Sequence, residues 1–139
     1  MKPKRFMIGV ISAGLVVAVA QPLSAHHSFA AEFDANKPVT LKGTVTKLEW
    51  ANPHIWVYLD VKDDQGSQQR WQCEGGPPNT LTRNGWTKDS LKFGDQITID
   101  GSLAKDGSKT CNLRVVKLAD GRSVFAGSSG GDAPTPPKP

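Results

Sequence analysis

Cysteine, tyrosine and histidine are all scarce in this chain, whose 139 residues hold two Cys, one Tyr and three His. Two cysteines cannot build a disulfide-dense scaffold or a four-thiolate zinc site. No apolar run reaches the ~20 residues that span a bilayer comfortably. A phosphate-cradling glycine loop is missing too, because Glu74-Gly75-Gly76-Pro77-Pro78 has the composition of a tight turn. Nor is there a real excess of one charge. The 17 basic residues outnumber 13 acidic ones for a net +4, but Lys2, Lys4 and Arg5 crowd the very start. Elsewhere Lys42, Lys47, Arg70, Arg83, Lys88 and Lys92 are interleaved with Glu49, Asp60, Glu74 and Asp89, so no basic stripe offers itself to a nucleic acid.

What is present begins with an address label. The three basic residues precede an apolar run from Phe6 to Ala20, and Ser24 and Ala25 supply the small residues of a cleavage point. Residues 1–25 are therefore expected to be a cleaved signal peptide, with a cut after Ala20 or a retained anchor as the competing readings. Cleavage implies a periplasmic or secreted protein with no integral membrane span left. At the other end, residues 126–139 are rich in Gly, Ser and Pro and cannot offset their own ordering entropy, so a disordered tail is expected there. An N-terminal histidine-containing arm, 26–37, and a folded domain, 38–125, remain between them.

Within that domain the dominant period is two. Val39, Leu41, Gly43 and Val45 alternate with polar residues, as do Ile55, Val57, Leu59 and Val61. The Asp63-Asp64-Gln65-Gly66 turn leads to a third strand over 68–74. Residues 79–84 suit a short helical turn capped by Asn79 and stopped by Gly85. Further strands are predicted over 96–103 and 111–118, and Asp120-Gly121 makes a last turn before Val124 and Phe125. The pattern is all-β: a small five-stranded barrel resembling an OB fold, with its helical turn between strands three and four. An open five-stranded sandwich is the alternative.

Cys73 and Cys111 both fall in predicted strands, the third and fifth, which are neighbours in a closed OB-like barrel. In an oxidising compartment such a pair reads as a disulfide, and the competing thiolate metal pair lacks the short Cys-x-x-Cys spacing of zinc sites.

The histidines carry the chemistry. Cleavage after Ala25 would give His26 a free α-amine beside its imidazole, and His27 a second imidazole. That nitrogen-rich set suits the tetragonal geometry of Cu(II). His54, in Trp50-Ala51-Asn52-Pro53-His54, is held at a bend by a rigid proline and is the third candidate ligand. Glu32, Asp34 and Glu49 could act as outer ligands or fix the imidazole tautomers. A solvated chain end and a backbone-bonded turn histidine are the bland readings of the same residues.

Five aromatics, Trp50, Trp56, Tyr58, Trp71 and Trp86, support a second possibility, a face that stacks a saccharide or peptide. Catalysis finds no constellation. Ser28 beside His27 lacks an oxyanion geometry, and Asp63-Asp64 reads as a hairpin turn more simply than as paired catalytic carboxylates.

His26-His27-Ser28-Phe29 after a signal peptide, Gly43-Thr44-Val45, Trp50-Ala51-Asn52-Pro53-His54, Glu74-Gly75-Gly76, Gly85-Trp86-Thr87 and Leu118-Ala119-Asp120-Gly121-Arg122 occur in that order. Together they resemble the bacterial domain of unknown function 6152 family. The resemblance implies an exported single-domain β-protein and places the histidines within a shared pattern; it supplies no reaction. The expectation is a non-enzymatic exported binding protein that takes copper or another transition metal through His26, His27 and His54. Its rival is an aromatic ligand-binding or interaction module without metal.

Overall fold

A computed structural model of the chain describes residues 29–127. The expected signal peptide, His26, His27 and all but the first two residues of the expected tail lie outside them. The order of elements is α1 (Phe29–Glu32), β1 (Phe33–Glu49), β2 (Trp56–Lys62), β3 (Gln68–Glu74), α2 (Pro78–Arg83), β4 (Gln96–Ala104), β5 (Thr110–Lys117) and β6 (Ser123–Phe125). The protein is mostly β, with one six-stranded sheet in the order β3-β2-β1-β4-β5-β6 and a further pairing of β3 with β5. All pairings are antiparallel except β3 with β5, which run parallel over Gln72↔Thr110, Cys73↔Cys111 and Glu74↔Asn112.

The long first strand serves two neighbours. Its first part pairs with β4 and its last part with β2, and Gly43 belongs to both ladders. A Cβ at Gly43 would lie 2.5 Å from the Asp60 carbonyl oxygen, so only glycine fits this close approach. Alternation then sorts the side chains. Val45, Val57, Leu59, Ile99, Leu113 and Val116 point into the core with no exposed surface, each stabilising the fold by roughly 1.5–3 kcal/mol relative to exposure.

Three boundaries differ from expectation. The sheet has six strands rather than five, because the residues after the Asp120-Gly121 turn pair with β5 as β6. The first strand starts at Phe33, inside the expected arm, since Phe33 is buried against the sheet while the intervening 34–37 are too polar to show alternation. The packed region also continues past Phe125: Ala126 is fully buried, its amide donating to Arg114 and its carbonyl accepting from Gly76, both at 2.9 Å. A small residue is what fits there.

The expected helical turn is present one residue early. Pro78 opens α2, and Pro77, not Asn79, is the N-cap, without a side-chain capping bond. Proline at the first helical position loses nothing, because that amide has no intrahelical partner. Gly85, at φ +88°, ends the helix.

Candidate functional site

His54 lies just before β2, and the backbone around it is clamped to the end of β3. The Ile55 amide donates to the Gly76 carbonyl at 3.1 Å, and the Gly75 amide returns a bond to the Ile55 carbonyl at 2.9 Å. A Cβ on Gly75 would press on the Ile55 side chain at 2.6 Å, and one on Gly76 would meet the Gly127 carbonyl oxygen at the same distance. The two glycines therefore let three chain segments close together behind the histidine. The Asn52–Pro53 peptide bond in this connection is cis.

This clamp sets His54 against Glu74. Its Nδ1 is hydrogen-bonded to the Glu74 carboxylate, and the two side chains are 27% and 14% exposed. Glu74 is opposite Trp56 on β2 and beside Asn112 on β5, which is buried. Occupation of Nδ1 leaves Nε2 as the ring nitrogen available to a ligand, and the carboxylate fixes both ring orientation and tautomer. Among the described residues no group of three or more His, Cys, Asp and Glu is placed to hold a metal ion.

Beside Trp56 runs an open groove of about 490 Å³. It is lined by Ala31, Glu32 and Phe33 at the start of the described chain, by Trp56, and by residues at the end of β4 and start of β5, Ala104 and Thr110 among them. The arm segment is fastened there: Lys105 donates its backbone amide to Glu32 and its ammonium to the Ala30 carbonyl, and Phe29 stacks on Phe33 with centroids 5.7 Å apart. Thus the segment that follows His26-His27-Ser28 and the strand that follows His54 share one groove.

The expected outer carboxylates play other parts. Asp34 accepts from the Asn36 amide at 3.0 Å, and Glu49 pairs with Lys47 at 2.8 Å, raising the Lys47 amine above its ordinary value. Glu32 lines the groove. The partner of His54 is Glu74, a residue absent from the expected set of outer carboxylates. Its signal was in the hairpin register: strands either side of the 63–66 turn place 56 opposite 74, and His54 is two residues further along the same face.

The aromatic set divides. Trp56 and Tyr58 are half-buried on the outer side of β2, with the Lys47 ammonium 5.3 Å from the Tyr58 ring centroid. Trp50 and Trp71 pack partly buried against the core. Trp86 is no surface residue: it is 2% exposed and donates its indole N–H to the Phe125 carbonyl at 3.0 Å, so it belongs to the core and cannot stack a ligand. Cys73 and Cys111 are joined across the β3–β5 pairing with Cα atoms 4.6 Å apart, both fully buried.

The fold and site thus define a small β-protein with a carboxylate-oriented histidine two residues before the groove-lining Trp56. Within that class, the chain belongs to the family of unknown function DUF6152, whose model matches residues 13–113. No curated protein and no solved structure matches it. No helix among the described residues is long and apolar enough to cross a membrane.

Proposed function

We propose that the protein is an exported, non-enzymatic binding protein of OB-like barrel architecture that holds a transition metal, with copper the ion its donors suit best. The β1-β2-β3-β5-β4-β1 circuit of pairings, with α2 between β3 and β4, supports the OB-like reading. One observation carries the metal reading: Glu74 holds His54 by Nδ1 and leaves Nε2 for coordination, the carboxylate–histidine arrangement that metal sites use. His27 is two residues from Phe29, a chain reach of about 7 Å. The groove where α1 ends is the one Trp56 borders, which supports completion of the site by His26, through amine and imidazole, and His27. Such a nitrogen set is the preference of Cu(II).

Calorimetric titration of the processed protein with Cu(II) tests this. Binding tighter than that of a free His-His peptide, weakened at least tenfold by His54→Ala, is expected; equal affinity in the two proteins would end the proposal.

Trp56 and Tyr58, adjacent on one outer face, favour the second reading, an aromatic platform without metal. That reading requires ligand binding to survive loss of all three histidines and to fail in Trp56→Ala.

A further inference from the structure

Neutral polar side chains surround the groove beside Trp56. The ladders put Tyr58, Gln72 and Thr110 in one row across β2, β3 and β5, and Trp56, Glu74 and Asn112 in another. The row between them, Val57, Cys73 and Cys111, is fully buried in the core, so alternation turns both flanking rows to the outer face. Half-buried Trp56 and the Thr110 that begins β5 line the groove itself.

Two carboxamides stand on this face. Gln72 is exposed and gives one N–H to Thr110 Oγ1 at 3.1 Å, which fixes the group and leaves its oxygen and second N–H. Asn112, two residues along the same face of β5 from Thr110, has no side-chain hydrogen-bond partner among the described residues. It keeps both a donor and an acceptor.

The charges lining the groove are one cation and two carboxylates, each engaged within the fold. Lys105 donates to the Ala30 carbonyl, Asp106 accepts the Ser108 amide at 2.9 Å, and Glu32 is engaged too. Their net negative sign opposes a nucleotide, whose phosphates need cations. An extended peptide finds no open strand edge either, because β3 over Gln72–Glu74 is paired on both sides, with β2 and with β5.

An aromatic ring beside uncharged carboxamides complements a sugar. The C–H face of a pyranose packs on an indole, and a carboxamide offers neighbouring hydroxyls one acceptor and one donor. The groove's 490 Å³ falls within the roughly 300–1,000 Å³ of ligand sites. We propose, on the aromatic reading of Trp56, that this groove binds a neutral oligosaccharide, one sugar ring lying on Trp56 and its hydroxyls bonding Gln72 and Asn112. No histidine takes part.

The experiment titrates the processed protein, with a chelator present to remove metal, with cellotriose, maltotriose and tri-N-acetylchitotriose. Acetylated, amidated triproline is the peptide probe. Calorimetry and tryptophan fluorescence follow binding, and melting temperature follows folding. Saturable binding of at least one saccharide, insensitive to added salt, is expected. Trp56→Ala should weaken it roughly tenfold or more and Gln72→Ala roughly threefold or more, for a lost stacking face and a lost hydrogen bond. Trp56→Phe, which keeps a ring, should retain most of the affinity, and an unchanged melting temperature in Gln72→Ala separates lost contact from lost folding. No saturable binding of any of the three saccharides overturns the proposal. Saccharide affinity unchanged in Gln72→Ala overturns it and spares the aromatic platform, whereas affinity unchanged in Trp56→Ala overturns both. If triproline alone binds and Trp56→Ala abolishes that binding, the platform stands and the saccharide proposal falls.

Discussion

Glu74 is the residue on which the metal reading turns. Replacing it by Gln keeps the shape but removes the charge that orients His54, and roughly 10–100-fold weaker Cu(II) binding is expected. Calorimetry of Glu74→Gln beside His54→Ala measures it; an unchanged affinity would show that the carboxylate only fills space. At other single residues the titration behaviour follows from turn geometry. Asp63 accepts the Ser67 amide at 2.8 Å and the Gln65 amide at 3.0 Å, which holds its carboxyl below the ordinary 3.8. The Ser108 hydroxyl and then its amide act likewise on Asp106, and the Arg122 amide and then its guanidinium on Asp120. A carboxyl depressed in the folded state stabilises above its unfolded pKa and loses that contribution as pH falls through the folded one. Denaturant unfolding should therefore show stability declining as pH drops below about 4, with a shallower decline in Asp63→Asn. The turn at 63–66 was legible because Asp and Gly there have one backbone use. The His54–Glu74 contact was not, because a carboxylate's partner depends on register and on loop clamping, neither of which composition encodes.

Among the elements, β3 and β5 are joined by only three residue pairs, as β5 and β6 are, and the cysteine bridge sits in the middle one of the β3–β5 pairing. With its ends 38 positions apart in sequence, the cross-link is expected to contribute about 4 kcal/mol in the chain-entropy account. A Cys73→Ala, Cys111→Ala double variant should lose stability of that order. Amide hydrogen exchange should then rise first at 72–74 and 110–112, and equal protection in the two proteins would show that the ladder holds unaided. This pairing could be anticipated, since the parity of both strands points the cysteines inward and the third and fifth strands of such a barrel are neighbours. The short β6 was less visible: three residues are too few to display a period, and its partner strand determines it.

For the molecule as a whole, the end of the core is closed by residues distant in sequence. Trp86 bonds Phe125, and Ala126 is gripped between Arg114 and Gly76. Trp86→Ala should destabilise the protein by about 3–5 kcal/mol, the range for removing a large buried aromatic. Thermal or denaturant melting checks this, and a loss under 1 kcal/mol would return Trp86 to the surface set. The residues around Gly85 do not show which way the indole faces; only the returning C-terminal segment reveals that it faces inward. The long first strand bears on a different property, the time the chain takes to fold. Its ladder with β4 begins at Phe33↔Ala104, so the central contacts cannot form until most of the domain has left its point of synthesis. High contact order of this kind slows folding. On the proposed export route, that delay would keep the chain extended long enough to be threaded across a membrane.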